Sequence, residues 1–413
     1  MNSINEILKA AHQATVSIQN AEDGQIKNIL FNIADELIAN RTSLLEANAK
    51  DLSKQSPDNP RNDRLMLNEQ RIKGIAESIR KVANLPDPTG KIIEKRVLHN
   101  GLNLQKIAVP LGVVGAIYES RPNVTFDIAA LCLRSRNVCV LKGSIDAENS
   151  NEAAVSIIKK VLQSNGIDTD VVTLLPASRE VVQDMFIATK YIDVIIPRGS
   201  DNLIQYVRKN SLVPVIETGA GVCHVYVESN ADMNKAVNIV VNAKVSRPSV
   251  CNAADAILID RKVAGSFLKR LRPEFEKYEV EIFADNESYD LLNGYSHLSK
   301  AKPEDFGKEF LSMKCAVKVV EGIDEALEHI DTYSTKHSEA IVSENRDACK
   351  RFIREVDAAV VYTNASTRFT DGEEFGLGAE IGISTQKLHA RGPFALEKLV
   401  TEKWVIEGDG QVR

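Results

Sequence analysis

The sequence predicts an α/β protein with mostly parallel sheets that are covered by helices. Apolar strand-like runs alternate with helical segments between residues 112 and 227, and the alternation returns between residues 232 and 363. Strands that are apolar along their whole length are buried on both faces, which is typical of parallel sheets in βαβ units. The 413 residues are enough for two or three domains.

The composition is that of an ordinary globular protein and argues against several classes. Lys and Arg total 51 and Asp and Glu total 57, a formal net charge of −6, so the chain lacks the basic footprint of a nucleic-acid-binding protein. Nowhere do about 18 apolar residues run together as a membrane-spanning helix requires, and the N-terminus does not resemble a signal peptide. The six cysteines are dispersed without a CxxC pair, which predicts a reduced, cytoplasmic protein with no metal site.

The N-terminal part predicts helices followed by a hairpin. Apolar residues in the first 80 positions recur at helical spacing, as in Ile26, Ile29, Leu30, Ile33 and Leu37. Asn100-Gly101 lies between two strand-like runs in residues 94–109, which predicts a type I′ turn with positive φ at both central residues. An isolated hairpin is only marginally stable, so we expect it to pack on another element, such as a second subunit.

The remaining elements follow from local apolar patterns. The first α/β region predicts strands at 113–118, 138–142, 171–175, 192–196, 213–217 and 223–227, with helices at 148–164 and 201–209. The second predicts helices at 232–244 and 262–278 and strands at 253–259, 315–320, 339–343 and 358–363. The final segment, 403–412, predicts a short strand that could pair with the hairpin.

Two strand ends could hold a dinucleotide, although the sequence contains no G-x-G-x-x-G fingerprint. Parallel sheets bind ligands at the carboxyl ends of their strands. Lys142 ends one predicted strand, and Arg198-Gly199-Ser200 lies between a strand and a helix, where glycine and a helix N-terminus favour a phosphate. A plain turn with Ser200 as N-cap and a solvated Lys142 are the alternatives.

Cys251 is the candidate nucleophile. It lies in "SRPSVCNAAD", residues 246–255, among polar and turn-forming neighbours and not on an apolar helix face. A nearby cation such as Arg247 would lower the pKa of the thiol and favour the reactive thiolate. No histidine lies close to Cys251 in the sequence, and a buried structural thiol is the alternative.

A long polar segment, residues 364–393, is the candidate substrate loop. It is rich in Ser, Thr, Gly and charged residues and lacks a clear periodicity. Substrate contacts concentrate in such loops, and Arg368 and Arg391 could each bind a carboxylate or phosphate through paired hydrogen bonds. A solvated surface loop is the alternative.

Four segments resemble the gamma-glutamyl phosphate reductases, a family of the aldehyde dehydrogenase superfamily. They are 109–137, 191–200, 241–252 and 364–393, and the similarity runs from the N-terminal helices to the final strand. The resemblance implies an aldehyde dehydrogenase-like fold in three parts. These are a Rossmann-like NADPH-binding domain (1–91 and 109–222), an α/β catalytic domain with the cysteine (223–395), and oligomerisation strands (92–108 and 396–413).

The resemblance also implies roles for single residues. Cys251 matches the catalytic cysteine, and Asn123 is the candidate for the oxyanion donor. The implied cofactor residues are Lys142 at the adenosine ribose, and Arg198, Gly199 and Ser200 beside the pyrophosphate. Glu309 is implied at the nicotinamide ribose, as the glutamate of an E-x-F motif in which Leu311 stands in place of the phenylalanine. The substrate residues implied are Arg121, Ser366, Thr367, Arg368 and Arg391. Glu217 falls where relatives carry the base for thioester hydrolysis, a step that an acyl-phosphate reductase does not need.

The implied activity is the NADPH-dependent reduction of L-glutamyl 5-phosphate to L-glutamate 5-semialdehyde and phosphate. It proceeds through a cysteine thioester and serves proline synthesis from glutamate. The resemblance implies a homo-oligomer, a dimer or tetramer, and leaves open a contact with glutamate kinase and a preference for NADPH over NADH. The alternatives are a hydrolysing or CoA-dependent aldehyde dehydrogenase and a non-catalytic member of the superfamily.

Overall fold

Helices and strands alternate along most of the chain in the computed structural model, which describes residues 3–56, 59 and 62–413. The helices are α1 Ile4–Gln13, α2 Thr15–Gln19, α3 Asp23–Ala39, α4 Arg41–Leu52, α5 Asn62–Leu65, α6 Glu69–Asn84, α7 Pro122–Arg134, α8 Glu148–Ser164, α9 Glu180–Ile187, α10 Asp201–Asn210, α11 Met233–Val245, α12 Arg261–Glu276, α13 Asn286–Leu291, α14 Ile323–Tyr333 and α15 Arg346–Glu355. The strands are β1 Ile92–Val97, β2 Asn103–Pro110, β3 Val113–Tyr118, β4 Val138–Lys142, β5 Val172–Leu174, β6 Val194–Arg198, β7 Cys223–Val227, β8 Ala254–Asp260, β9 Glu281–Ala284, β10 Leu298–Lys300, β11 Lys314–Val320, β12 Ser338–Val342, β13 Val360–Thr363, β14 Glu380–Ser384, β15 Gly392–Ala395 and β16 Val400–Glu407. Short 3₁₀ turns lie at Ile145–Ala147, Thr169–Val171, Pro303–Gly307, Thr367–Phe369 and Leu396–Lys398.

The chain divides into two units. Unit 1 comprises Met1–Thr218, Gly376–Gly382 and Pro393–Arg413, and unit 2 comprises Gly219–Phe375 and Ile383–Gly392. Both units are α/β, as predicted. Among the described residues, no helix is both long and apolar enough to cross a lipid bilayer.

The main sheet of unit 1 is parallel and has the strand order β5-β4-β3-β6. Its strands are buried along nearly their whole length, as their apolar sequences predict. Ile117 pairs with Lys142, and Tyr118 pairs with Arg198. Because the strands are parallel, the segments that follow β3, β4 and β6 meet at the same edge of the sheet.

The strand predicted at 213–217 does not form. Val215 makes an isolated parallel bridge to Ile195, and Ile195 donates its amide hydrogen to the Pro214 carbonyl at 2.8 Å. Ile216 donates in return to the Ile195 carbonyl at 3.0 Å. The ladder does not extend further because Pro197 and Pro214, whose amides would continue it in the two directions, have no amide hydrogen.

A second sheet in unit 1 has the strand order β1-β2-β16 and is antiparallel. The predicted hairpin and its pairing with the C-terminal strand are both confirmed. The prediction of a type I′ turn was wrong, because only Gly101 has a positive φ, of +83°, and Asn100 does not. Leu98 accepts from the Gly101 amide and donates to Leu102, which is the three-residue loop that ends in a glycine bulge.

Unit 2 contains a parallel sheet in the strand order β10-β9-β11-β8-β7-β12-β13. Helices α11 and α12 pack on one face through buried residues such as Val240, Phe267 and Leu271, and α14 and α15 pack on the other through Ile330 and Phe352. The amino ends of β7, β8 and β12 meet at one edge, and Cys251 comes directly before β8. The candidate nucleophile therefore lies at the amino edge of its sheet, as its position before the strand predicted at 253–259 implies.

Candidate active site

Cys251 is half-buried and lies in a turn that leads into β8. Its backbone carbonyl is held from two sides. A Cβ atom on Gly221 would lie 1.7 Å from this carbonyl oxygen, so only glycine permits the approach of the two backbones. The Cys223 thiol donates to the same oxygen at 3.2 Å. The turn is thus packed against residues 221–223 while the Cys251 side chain keeps some access to solvent.

The next residue, Asn252, connects this turn to the predicted substrate loop. The Asn252 amide donates to the Thr370 carbonyl at 2.9 Å, and the Thr367 hydroxyl donates to the Asn252 carbonyl at 2.7 Å. The Arg368 guanidinium donates to the Asn252 side-chain oxygen. Ser366 is buried and accepts from the Arg368 amide at 3.3 Å. The structure therefore brings Ser366, Thr367 and Arg368 next to the Cys251 turn.

Two arginines lie near this turn. Burial lowers the pKa of Arg368 and the neighbouring Arg247 lowers it further, whereas the charges of Asp371, Cys251 and Glu374 raise it. The Arg368 guanidinium is therefore within electrostatic reach of Arg247 and Cys251. A cation close to a thiol stabilises the thiolate, and the same cation attracts an anionic substrate.

Arg391 has a different partner. Its guanidinium pairs with Asp357 at 2.9 Å, and the same carboxylate accepts from Lys387 at 2.9 Å and from Lys336 at 3.2 Å. Hydrogen bonds, from Lys387 most strongly, hold the pKa of Asp357 well below its usual range. The Nε and Nη2 atoms of Arg391 are buried and have no partner among the described residues.

Glu309 contacts the loop that supports Cys251. Its carboxylate accepts from the Gly221 amide at 2.9 Å. The Phe310 amide that follows donates to Asp255 at 3.3 Å, and Asp255 pairs with Lys244 at 3.0 Å. Both side chains of this ion pair are almost completely buried. Burial raises the pKa of Asp255 to about 6, against the opposing effect of Lys244.

In unit 1, Lys142 lies at the end of β4 as predicted. Its ammonium group donates to the Ala177 carbonyl at 2.9 Å, and the residue is 7% exposed, so it is not a solvated strand end. Burial lowers the pKa of Lys142, and the charge of Arg179 lowers it further. Arg179 immediately precedes α9 and adds a second cation beside Lys142, which no sequence motif had indicated.

The turn at Gly199-Ser200 already holds an anionic group. Glu119 accepts from the Ser200 amide at 2.9 Å and from the Ser200 hydroxyl at 2.8 Å. A Cβ atom on Gly199 would lie 2.8 Å from the Glu119 carboxylate. Ser200 is the N-cap residue of α10, but its hydroxyl donates to Glu119 and accepts no helix amide. The amino end of α10 therefore binds a carboxylate, as expected of a helix N-terminus that favours anions.

Asn123 is the second residue of α7, directly after Pro122. Its side-chain amide donates to Asp127 at 3.1 Å. Burial raises the pKa of Asp127 to about 6, while Asn123 and then Arg198 lower it. Arg121 is the N-cap residue of α7 and has an extended backbone. These residues follow β3, at the same sheet edge as Arg198 and Ser200.

Two further expectations concern Glu217, which falls at the position of the hydrolytic base in relatives, and the absence of a metal site. Glu217 forms an ion pair with Arg208, with 3.2 Å between the carboxylate and Nε. No cluster of three or more His, Cys, Asp or Glu side chains is arranged to hold a metal ion in the part of the chain that the structure describes.

The chain is similar to members of the aldehyde dehydrogenase family in both sequence and structure. Residues 1–290 match the model of the aldehyde dehydrogenase family. The chain is 52% identical to the gamma-glutamyl phosphate reductase of Chlorobium luteolum over 100% of this chain and 99% of that one. It is 50% identical to the protein of the same name from Bacteroides thetaiotaomicron, with the same coverage. The crystal structure of gamma-glutamyl phosphate reductase from Thermotoga maritima superposes with a TM-score of 0.97 at 41% identity over 100% of both chains.

Proposed function

Because the chain belongs to the aldehyde dehydrogenase family, and within it to the gamma-glutamyl phosphate reductases, we propose that it reduces L-glutamyl 5-phosphate to L-glutamate 5-semialdehyde. The reaction releases phosphate and supplies proline synthesis. The observation that carries the proposal is the half-buried Cys251, which lies in a turn held by Gly221, Cys223 and Asn252, with Arg368 hydrogen-bonded to Asn252.

The cysteine provides the covalent step. Its thiolate attacks the acyl carbon, the bond to the phosphate oxygen breaks, and a thioester forms as phosphate leaves. When bound, the nicotinamide cofactor supplies the hydride that reduces this thioester. The resulting thiohemiacetal then expels the Cys251 thiolate and releases the aldehyde. Backbone amides near Cys251 and the Asn123 amide are the proposed donors to the oxyanion.

The residues of unit 1 fit a dinucleotide phosphate. The amide and hydroxyl of Ser200 donate to the Glu119 carboxylate, and we propose that the pyrophosphate takes the place of this carboxylate beside Gly199. Lys142 and Arg179 form a pair of cations at the end of β4. Such a pair suits the extra phosphate of NADPH, which NADH lacks, and Glu309 is the proposed contact of the nicotinamide ribose.

The deciding experiment measures NADP⁺ reduction by the semialdehyde with and without inorganic phosphate. We expect the reaction to require phosphate, because phosphate must attack the thioester to complete the reverse reaction. Turnover with water alone, or only with coenzyme A, would instead establish the hydrolysing or CoA-dependent alternative. Absence of both turnover and a change in NADPH fluorescence on mixing would favour a non-catalytic protein.

Replacing Arg368 by alanine should weaken substrate binding. We expect the KM for glutamyl phosphate to rise about tenfold or more, since a charge-assisted hydrogen bond to an anion is lost. The KM for NADPH should change much less. Steady-state kinetics with each substrate varied in turn measure both values, and Arg354→Ala, on the exposed side of α15, is the control. Equal effects on the two KM values would remove Arg368 from the substrate site.

Replacing Arg179 by alanine tests the cofactor preference. We expect the KM for NADPH to rise about tenfold while that for NADH changes little, because only NADPH carries the phosphate that a cation would bind. Lys190→Ala, an exposed cation that follows α9, is the matched control. A parallel rise for both cofactors would place Arg179 outside the phosphate contact.

The sheet β1-β2-β16 is the proposed oligomer contact. Its apolar residues are unusually exposed for a protein surface, namely Ile92 at 53%, Val97 at 66%, Trp404 at 45% and Ile406 at 56%. Apolar groups of this size are typical of an interface, and the outer strands β1 and β16 are exposed along most of their length. We propose that a second copy of the chain covers it.

A further inference from the structure

A second thiol lies against the backbone of the nucleophile. Cys223 is the first residue of β7, is fully buried, and donates to the Cys251 carbonyl oxygen at 3.2 Å. The charge of Cys251 is among the groups that raise the pKa of Cys223, after burial, Glu339 and Asp255. The Cys223 thiol thus lies against the backbone of Cys251 in unit 2, and the two residues differ in access to solvent. The proposed reduction makes no use of Cys223.

His337 lies beside the buried thiol. Its Nδ1 is 3.7 Å from the Cys223 sulfur and 2.8 Å from the Ser338 hydroxyl, and its buried Nε2 has no partner among the described residues. Burial lowers the pKa of His337 to about 4, so the imidazole is neutral near pH 7. With hydrogen on Nε2, the Nδ1 atom can accept the thiol proton when Cys223 reacts.

We propose that Cys223 is a resolving cysteine, which forms a disulfide with Cys251 after a peroxide has oxidised Cys251 to a sulfenic acid. The proposal rests on the reactive Cys251 thiolate of the proposed function. The thiolate first attacks the peroxide, the O–O bond breaks, and one oxygen stays on Cys251. Cys223 then attacks the Cys251 sulfur, the S–O bond breaks, and water leaves with the thiol proton. Overall, two thiols are oxidised and one hydrogen peroxide is reduced to two waters.

The order of events follows from burial. Cys251 is half-exposed and reacts first, because an oxidant can reach its sulfur, whereas Cys223 is enclosed. Cys251 lies in a turn and not in a strand ladder, so its side chain can rotate without breaking sheet hydrogen bonds. The disulfide would stop oxidation at a step that thiols reverse, before the irreversible sulfinic acid forms.

The test treats the purified protein with hydrogen peroxide and maps its peptides by mass spectrometry. We expect a peptide pair joined between Cys223 and Cys251, with the loss of two hydrogens, which dithiothreitol separates. In Cys223→Ala and Cys223→Ser we expect Cys251 to gain two oxygens instead. After peroxide and dithiothreitol, wild type should recover at least about fivefold more activity than either variant, because sulfinic acid is not reversed by thiols.

Cys315→Ala is the matched control, since Cys315 is a fully buried cysteine of the same unit. It should form the disulfide as wild type does. A wild-type protein that accumulates sulfinic acid at Cys251 without a cross-link to Cys223 would overturn the proposal and leave Cys223 as a packing residue. The mass measurement needs no turnover, so a cross-link in a protein without phosphate-dependent activity would contradict the proposed function alone.

Discussion

We expect that replacing Cys251 by alanine abolishes phosphate-dependent turnover while NADPH still binds. The expected loss is about 10⁴-fold or more, since removal of a covalent nucleophile typically costs this much. The cofactor residues proposed here, such as Lys142 and Ser200, lie in unit 1 and keep their hydrogen bonds in the variant. Turnover is measured by the reduction of NADP⁺, and binding is measured by NADPH fluorescence.

The controls separate chemistry from folding. Cys349→Ala removes a half-buried cysteine whose thiol contacts the Ser343 carbonyl, and it should retain turnover near that of wild type. Cys251→Ala should unfold at the same denaturant concentration as wild type, because the thiol is not part of the buried core. If the Cys251 variant kept a tenth of wild-type turnover, covalent catalysis by Cys251 would be wrong.

Replacement of Lys244 by methionine should give the largest loss of stability. The variant leaves the Asp255 carboxylate almost fully buried without its cation, and breaking a buried ion pair in this way costs about 3–5 kcal/mol. The free energy of unfolding from urea titration measures the loss. We also expect a lower kcat, since Asp255 holds the Phe310 amide next to Glu309.

Two further variants test whether the unpaired Asp255 carboxylate causes the loss of stability. Lys235 lies on the same helix as Lys244 and forms an exposed ion pair with Glu344. Lys235→Met breaks this pair and should change stability little, because exposed pairs contribute little. Lys244→Met combined with Asp255→Leu should recover part of the loss, since no uncompensated charge then remains. A single Lys244 variant as stable as the Lys235 variant would mean that the buried pair does not stabilise the fold.

Local sequence predicted the buried elements well and the turns less well. The strands at Val113–Tyr118 and Cys223–Val227 were predictable because parallel strands buried on both faces are apolar throughout. The short strand Glu281–Ala284 alternates in burial and has too few residues to show a clear period. The turn at Gly101 differs because its geometry depends on the whole loop and not on the Asn-Gly pair alone.

The candidate site was harder to predict from local features. Cys251 has neighbours that fit either a nucleophile or a structural thiol, and the resemblance to a family decided between them. The contact of the neighbouring Asn252 with Thr367 spans 115 positions of sequence, which no local pattern indicates. Glu119 lies in the segment 109–137 but has no role there that the sequence indicates, and Arg179 lies outside the four family-like segments. Only the fold shows that their charges lie beside Ser200 and Lys142.

Because the Glu119 carboxylate already lies at the amino end of α10, binding of the cofactor there exchanges one anion for another. A pyrophosphate that binds the Ser200 amide, as proposed, must first displace the carboxylate that already occupies this donor. The number of anionic groups bound at the amino end of α10 is then the same before and after the cofactor binds. The affinity for the cofactor should therefore respond less steeply to ionic strength than the charge of the pyrophosphate alone would suggest.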